Sequence, residues 1–412
     1  MNTLTNQFSH GDGEVTKVEN EGGRCKVAFL YNHDAGHQVR HSAAVIPELV
    51  NRHSDVEVTV VSTSTALMNT VFEICGAAVL SQCKIVNLTL PSWHKLLAKA
   101  ADKFSPFSRF DHLFANRKMF QEFDALVVTE GTSLFLKRFN ALRHLKFIRI
   151  DHGGGDRSIG FHPSFGGNDL VLLPGNKQKD RYLKLGYLRE KQIAVVGYPK
   201  FESTKTSIIE RKIFSNGRPT VLYNPHPEPY LSSWYKMGND VLEYFYSSDK
   251  YNLIFAPHVM LFLRRFHISS ERLSIKYRRD LPEKYYNCPH ILIDIGSPAS
   301  MDMTYTMAAD IYVGDASSQI YEFLSKPRPC ILLDSHKPDW QNDPNYAFWH
   351  FGPVISSIEE LDKSLDQAAE AHKKCQGVQE AGFSYTFDQA EASPSVRAAD
   401  AIANFLKETP NT

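Results

Sequence analysis

Short apolar runs alternate with helical or loop segments along most of this chain, and this alternation restricts the fold more than any other feature. A first series of strand candidates occupies residues 26–31, 56–61, 84–88, 125–129, 146–150, 170–173 and 192–196. A second series occupies residues 220–223, 251–256, 290–294, 311–313 and 330–333. Strands separated by helical segments form βαβ units, which build parallel sheets. The predicted fold class is therefore α/β, with two Rossmann-like doubly wound domains that face each other.

A polar stretch, residues 202–218, separates the two series and is predicted to be a linker because it is rich in Lys, Ser, Thr, Asn and Gly. Residues 23–201 then form the N-terminal domain, and residues 219–382 form the C-terminal domain. Residues 1–22 are interpreted as a flexible tail, and residues 383–412 as a C-terminal tail or helix.

The composition is that of a globular protein without an overall charge preference. Of 412 residues, 42% are hydrophobic, and 46 Lys and Arg residues balance 46 Asp and Glu residues, which argues against nucleic acid as a partner. The six cysteines form no Cys-x-x-Cys pair, and no apolar run reaches the roughly 18 to 20 residues that span a membrane. We therefore expect reduced cysteines and a cytoplasmic protein.

Polar side chains follow four of the predicted strands. His152 comes after the run 146–150, Asn224 and His226 after 220–223, His258 after 251–256, and Asp315 after 311–313. Ligands of open α/β sheets bind beyond the carboxyl ends of the strands, so two facing domains would bring these residues to one cleft.

The stretch 309–324 reads as a short buried strand, a hydroxyl-rich turn and the start of a helix. Asp315 or Ser317 can cap that helix, while its free N–H groups and the hydroxyls of Ser317 and Ser318 can face a phosphate. A diphosphate ligand is the leading interpretation, and an ordinary capped helix is the alternative.

Several segments resemble, in the same order, motifs of the CDP-glycerol glycerophosphotransferases of teichoic-acid and capsule synthesis. They are Asp151-His152-Gly153, Val196-Gly197-Tyr198-Pro199, Val221-Leu222-Tyr223-Asn224-Pro225, Ala256-Pro257-His258 and, as the best match, residues 309–323. The resemblance spans residues 146–334 and implies the glycosyltransferase-B fold, with an acceptor-side N-terminal domain and a nucleotide-donor C-terminal domain. It also implies transfer of a glycerophosphate or related polyol-phosphate group from a CDP-activated donor to a hydroxyl of a lipid-linked or polymer acceptor in the cell envelope or capsule.

Two segments depart from the family's pattern. The family's His-Gly is usually followed by Thr-Pro and a Lys, whereas residues 154–157 here are Gly-Gly-Asp-Arg. The basic residue usual near the second domain's Pro-His is replaced by Phe255-Ala256. These differences concern the acceptor side and one phosphate contact respectively.

Transfer to a hydroxyl requires removal of its proton, and His152 is the predicted base, with Asp151 or Asp156 orienting its ring. His258 is predicted to donate hydrogen bonds to the donor diphosphate, and His226 to do the same or to sit in a rigid turn between two prolines. Asn224, Asp315, Ser317 and Ser318 complete the predicted donor site, where Asp315 fixes the loop or a ribose hydroxyl. For His152 and His258 the alternatives are a solvated histidine in a glycine-rich turn and a histidine that only ends a strand.

No HExxH or DxD motif and no metal-type Cys/His spacing is present, so we predict transfer without a metal or other cofactor. Basic and aromatic residues interleave in residues 93–123, which is either a membrane-surface patch on the inner face of the cytoplasmic membrane or an amphipathic helical pair packed on the core.

Two other functions fit the same fold class. One is a sugar-nucleotide enzyme, either a glycosyltransferase or a non-hydrolysing 2-epimerase, and the other is a catalytically silent nucleotide-binding protein. The nucleotide base separates them in part, because a glycosyltransferase should prefer UDP or GDP to CDP.

Overall fold

The structure, a computed structural model, describes residues 23–33, 36–90, 107–204, 212–269 and 274–409. Its strands are β1 (Cys25–Tyr31), β2 (Val56–Ser62), β3 (Lys84–Asn87), β4 (Ala125–Val128), β5 (Lys146–Ile150), β6 (Leu170–Leu173), β7 (Ile193–Val195), β8 (Thr220–Asn224), β9 (Asn252–Phe255), β10 (Phe266–Ser269), β11 (Ser274–Tyr277), β12 (Ile291–Ile293), β13 (Ile311–Gly314), β14 (Cys330–Leu333) and β15 (Val354–Ile355).

The α-helices are α1 (Val45–Arg52), α2 (Thr65–Cys75), α3 (Ala77–Leu80), α4 (Phe107–Ala115), α5 (Asn176–Lys184), α6 (Trp234–Ser247), α7 (Met260–Leu263), α8 (Thr304–Ala308), α9 (Gln319–Phe323), α10 (Leu361–Asp366), α11 (Ala368–Thr386) and α12 (Pro394–Glu408). Turns of 3₁₀-helix occupy Gly36–His41, Met119–Glu122, Thr132–Arg138, Asn140–Leu142, Ser158–Gly160, Pro163–Gly167, Glu190–Gln192, Pro199–Ser203, Glu283–Tyr285, Pro298–Ser300, Pro344–Phe351 and Ile358–Glu360.

The first sheet has seven parallel strands in the order β3-β2-β1-β4-β5-β6-β7. Alternate residues of β1 enter different cores: Val27 and Phe29 face one cluster, and Ala28 and Leu30 face the other. A parallel sheet covered on both faces has continuous apolar strands, which explains why these runs were visible in the sequence.

The second sheet has six parallel strands in the order β12-β9-β8-β13-β14-β15. Within β13, Ile311 and Val313 enter one core cluster and Tyr312 enters the other. In both sheets the connections between neighbouring strands reverse direction at a central strand, as in doubly wound folds. The predicted α/β fold with two Rossmann-like domains is therefore confirmed.

The C-terminal helix α12 returns to the N-terminal domain. Its residues Ala398, Ile402 and Leu406 are buried in the same cluster as β1 and β2. Their spacing of four residues places them on one face of the helix. Gly197, at φ +84°, lies where the chain meets the start of this helix, and an added Cβ would approach the Asp388 carbonyl oxygen to 3.0 Å. Residues 383–412 were predicted as a tail or helix; up to residue 409, where the described part of the chain ends, they include the end of α11 and the helix α12.

The basic and aromatic segment 93–123 is described only from residue 107 onward; residues 91–106 lie outside the described part of the chain. Leu113 and Phe120 are fully buried in the N-terminal core, whereas Phe107 and Phe114 are each 46% exposed. In the described residues, no helix is both long and apolar enough to cross a membrane.

Candidate functional site

A cleft of about 380 Å³ lies between the two domains at the carboxyl ends of their strands. Pockets of this size hold small-molecule ligands. The side chains that line it are His41, Asp151, His152, Asp156, Arg157, Phe161, Gln178, Tyr198 and Lys200 from the N-terminal half and His226, Glu228, Leu231, His258, Ala316, Ser318, Gln319, Glu322 and Phe348 from the C-terminal half. His152, His226 and His258, which the sequence placed after three different strands, thus share one cavity.

His152 follows β5, and its Nδ1 lies 3.0 Å from the carbonyl oxygen of Thr129. A carbonyl oxygen only accepts, so Nδ1 carries the ring proton and Nε2 has a free lone pair. Burial and then the nearby Arg149 guanidinium lower the pKa of His152 to about 4. The ring is therefore neutral at pH 7, and its Nε2 is able to accept a proton. The His41 ring packs edge-on against it, with 5.9 Å between ring centroids.

Neither carboxylate that was predicted to orient His152 contacts its ring, because the Thr129 carbonyl holds Nδ1 instead. Asp151 is buried at the end of β5, and burial raises its pKa to about 6, against the opposite effect of Arg149.

Asp156 is 1% exposed and joins the two domains. Its carboxylate accepts from Lys177 Nζ at 2.6 Å, from the Tyr321 hydroxyl at 2.7 Å and from the Phe348 backbone N–H at 3.1 Å. Lys177 belongs to the N-terminal domain, and Tyr321 and Phe348 belong to the C-terminal domain. Asp156 therefore fixes the position of one domain relative to the other.

His226 and His258 have the opposite proton placement from His152. The Nδ1 of His226 accepts from the Glu228 N–H at 3.1 Å, and the Nδ1 of His258 accepts from the Met260 N–H at 3.3 Å. The proton of each neutral ring is therefore on Nε2, which becomes a donor.

The two rings lie 5.8 Å apart between centroids. Burial and then the neighbouring His258 lower the pKa of His226 well below its usual value. Burial and then the positive charge of Lys200 lower the pKa of His258 to about 4. Both rings are therefore neutral at pH 7 and present N–H groups to the cleft.

Asp315 is buried and bonded internally. Its carboxylate accepts from the His226 N–H at 3.0 Å, the Ser233 hydroxyl at 2.8 Å and the Ala316 N–H at 2.5 Å. Burial raises its pKa to about 6. Of the two roles predicted for Asp315, these contacts match fixing the loop, and the loop that it holds carries His226.

Asn224 is also engaged within the protein. Its side chain is fully buried, donates to the Ala256 carbonyl at 2.6 Å and accepts from the Tyr312 hydroxyl at 3.4 Å. It joins the ends of β8 and β9, the strands that precede His226 and His258. Asn224 is therefore placed to position the two histidines.

The hydroxyl-rich turn precedes α9, a helix of only five residues whose N-cap is Ser318. The Ser318 side chain makes no capping hydrogen bond, whereas the buried Ser317 hydroxyl accepts from the Gln319 N–H at 3.4 Å, a contact of the capping type that was predicted for Asp315 or Ser317. Ser318 is exposed and lines the cleft. It faces Gly155 of the other domain, where an added Cβ would lie 3.3 Å from the Ser318 Cβ.

The sequence did not single out Lys200 and Glu322, which form an ion pair at 2.6 Å across the back of the cleft. Both side chains are nearly buried, and the Tyr198 hydroxyl lies 3.3 Å from Glu322. Lys200 follows the Tyr198-Pro199 motif directly, so its position next to that motif was the available signal. Among the described residues, no group of three or more His, Cys, Asp or Glu is arranged to hold a metal ion.

No family model matches the sequence, and no curated protein is similar to it. Solved structures are similar in three dimensions. The wall teichoic acid polymerase TagF superposes with a TM-score of 0.60 at 13% identity, covering 94% of this chain and 90% of TagF. This chain has the glycosyltransferase-B fold.

Two further structures extend the comparison. A candidate UDP-N-acetylglucosamine 2-epimerase from Listeria monocytogenes has a TM-score of 0.55 at 13% identity, with 94% of this chain and 96% of that chain covered. MnaA from S. aureus, in a co-structure with UDP, has a TM-score of 0.57 at 11% identity, with 93% and 96% covered. At such identities the similarity shows the fold and not the reaction.

Proposed function

We propose that this protein transfers a glycerophosphate or related polyol-phosphate group from a CDP-activated donor to a hydroxyl of a cell-envelope or capsule acceptor, which is lipid-linked or polymeric. The observation that carries the proposal is that one cleft holds three neutral histidines of opposite proton placement. His152 offers a lone pair, while His226 and His258 offer N–H groups. A transfer that takes a proton from one oxygen and stabilises charge on another needs both kinds of group.

His226 and His258 would bind the donor diphosphate. Their Nε2–H groups supply hydrogen bonds to oxygens whose negative charge grows as the bridging P–O bond breaks. The leaving group is then CMP. Lys200 is paired with Glu322, so its positive charge is largely neutralised within the protein. We therefore assign the direct contact with the diphosphate to the two histidines and to Ser318 on the turn before α9, beside Arg157, which also lines the cleft.

His152 would act as the base. The acceptor oxygen attacks the phosphorus that carries the polyol, a new P–O bond forms, and the proton of the hydroxyl moves to Nε2 of His152. A pKa of about 4 keeps the ring unprotonated and ready to accept. The negative charge of a bound diphosphate raises that pKa toward the value that favours proton transfer.

A second function is supported by the comparison structures. A sugar-nucleotide enzyme, either a glycosyltransferase or a 2-epimerase, fits the same fold, and the Listeria epimerase structure and the MnaA structure with UDP each match this chain over 96% of their own length. Such an enzyme would use a UDP-sugar. The nucleotide that stabilises the protein therefore separates the two proposals.

The first test is a thermal-shift screen with CDP-glycerol, CDP-ribitol, CDP, UDP, GDP and UDP-sugars, because a ligand that binds only the folded state raises its apparent stability. Stabilisation by a CDP-polyol supports the transferase, and stabilisation by UDP or a UDP-sugar supports the alternative. No response to any nucleotide would contradict both.

Turnover then tests the roles of individual residues. Release of CMP in the presence of acceptor should fall by about 10²-fold or more in His152→Gln. The matched control is His350→Gln, an exposed histidine away from the cleft, which should keep normal turnover. Normal turnover in folded His152→Gln would exclude His152 as the base.

A further inference from the structure

A small antiparallel hairpin, β10 and β11, projects from the C-terminal domain with one wholly apolar face. The register pairs Phe266 with Tyr277 and Ile268 with Ile275. Cross-strand partners and residues two apart point to the same side of a sheet, so these four side chains form one surface. Their exposed fractions are 62%, 49%, 71% and 66% in that order.

The opposite face of the hairpin packs on the protein. The Nε2 of His267 lies 3.0 Å from the carbonyl oxygens of Leu261 and Arg264. The Arg278 guanidinium lies over the Phe262 ring, 4.4 Å from its centroid. These contacts hold the hairpin in a fixed orientation, so its apolar face is presented outward rather than folded onto the core.

Basic side chains surround the apolar face. Arg264 and Arg279 lie at the ends of the two strands and are exposed, and within the described part of the chain no acidic side chain forms an ion pair with them; Lys276, the cross-strand partner of His267, is exposed on the other face. Arg265 is exposed as well and shares Asp280 with Arg278. The chain as a whole has no net charge, so this local excess of positive charge stands out. Residues 270–273, between the two strands in the sequence, lie outside the described residues; they include one acidic and one basic residue.

We propose that this hairpin, together with exposed Leu263 of α7, docks the protein on an anionic lipid surface. Exposed aromatic and aliphatic side chains ringed by Lys and Arg are the combination that binds the interface of an anionic bilayer. A second copy of the chain is the less favourable occupant, because isologous contact would bring the two basic rims together.

The docking surface begins next to the cleft. Met260, the first residue of α7, donates its N–H to the Nδ1 of His258, and Leu263 at the end of the same helix is 69% exposed. A membrane that holds the hairpin therefore lies near the mouth of the donor site. This placement would suit an acceptor carried on a lipid, although the docking itself does not depend on the proposed transferase activity.

The test is co-sedimentation of the full chain with phosphatidylcholine vesicles, with and without about one-third phosphatidylglycerol. Binding is expected only with phosphatidylglycerol, and should weaken when salt is raised from about 0.1 M to about 1 M, since the Debye length falls from about 10 Å to about 3 Å. The double variant Ile268→Thr/Ile275→Thr should bind about tenfold or more weakly, because it removes inserted carbon atoms while retaining β-branched residues.

A charge variant separates electrostatic from apolar contributions. Arg264→Gln/Arg279→Gln should lose about fivefold in binding for each cation that approaches the bilayer. The matched controls are Val378→Thr and Lys374→Gln, an exposed apolar and an exposed basic residue on α11, and both should bind as the unaltered protein does.

Three results would overturn the proposal. One is no binding to either vesicle, and another is equal binding by the hairpin variants and the controls. The third is a concentration-dependent dimer, seen by sedimentation velocity, that Ile268→Thr/Ile275→Thr abolishes, because that would assign the surface to a second copy. All of these substitutions are at exposed positions, and equal melting temperatures would show that the fold is intact. If the protein binds the vesicles but releases no CMP, the result would contradict the proposed transferase activity and leave the docking proposal unaffected.

Discussion

Replacing Asp156 by Asn tests whether one buried carboxylate holds the two domains together. The carboxylate accepts from Lys177 in its own domain and from Tyr321 and Phe348 in the other. Asn retains the size of the side chain and one acceptor oxygen but removes the negative charge. The Lys177 ammonium, whose side chain is 12% exposed, then loses its charged partner and is left with neutral ones, among them the Gly154 carbonyl at 2.6 Å and the Tyr321 ring.

The expected loss of unfolding free energy is about 3–5 kcal/mol, because removing one member of a buried ion pair leaves the other charge uncompensated. Burial already lowers the pKa of Lys177 to about 8, despite the opposing effect of Asp156, so this ammonium is poorly solvated. Replacing both members should cost less. Asp156→Asn/Lys177→Met should recover at least about 1 kcal/mol relative to Asp156→Asn alone, since contacting residues are not additive.

The assay is urea unfolding followed by tryptophan fluorescence and by far-ultraviolet circular dichroism. If the fluorescence and circular dichroism transitions coincide, the unfolding free energy is obtained by linear extrapolation to zero urea. If they do not, the urea midpoints of the first transition are compared between the variants. Glu370→Gln, which removes an exposed ion pair with Lys373, is the control and should cost less than about 0.5 kcal/mol. A loss below about 1 kcal/mol in Asp156→Asn, or additive losses in the double variant, would refute the reasoning.

Two further predictions concern buried groups of the cleft. Burial lowers the pKa of His258 to about 4, so the unfolded chain, with a value of about 6.5, takes up the proton first as the pH falls. Neutral His258 therefore contributes stability above about pH 6.5, and this contribution is lost as the pH falls toward 4. In the unaltered protein this loss lowers the unfolding free energy between about pH 7 and about pH 5, so over the same range the unfolding free energy of His258→Asn should fall by about 2 kcal/mol less. Equal decreases in the two proteins would contradict the prediction. Asp315→Asn should cost about 1–3 kcal/mol by the same assay, because one carboxylate oxygen accepts from the N–H groups of His226 and Ala316 and the other from the N–H of Ser233, so the amide nitrogen of Asn would face an N–H group in either orientation. It should also weaken nucleotide binding through the His226 loop, and unchanged stability would show that those contacts are dispensable.

The sequence allowed the fold to be predicted because the central strands of the two sheets are buried on both faces, and such strands are short apolar runs whatever their order. Strand order itself depends on contacts between distant segments. The sequence analysis did not predict the hairpin β10–β11. Phe266 and Ile268 alternate with polar residues, as in a strand, but their side chains are exposed and belong to no hydrophobic core. This alternation with a period of two could have predicted a strand that belongs to neither of the two sheets.

The structure brings the predicted site residues together at the strand ends, but the sequence did not indicate what each of them contacts. The carboxylate of Asp315 is occupied by Ser233, 82 residues earlier, and Lys200 pairs with Glu322 across 122 residues. A turn with Asp and Ser looks the same in sequence whether its side chains face a ligand or the interior. Only the packing of the second domain decides that Asp315 supports the loop and that Ser318 faces the cleft.

The proton placement of the three histidines shows which features of the site can be predicted from the sequence and which cannot. In His226 and His258 the Nδ1 accepts from the N–H two residues later, so a local turn fixes the ring proton on Nε2 and a sequence with this spacing could have indicated a donor. In His152 the partner is the carbonyl of Thr129, at the end of a neighbouring strand. The position of the ring proton is thus determined by the local sequence in His226 and His258, whereas in His152 it depends on the assembly of the N-terminal sheet. Changes in the packing of β4 against β5 should therefore affect the proposed base without disturbing the proposed donor site.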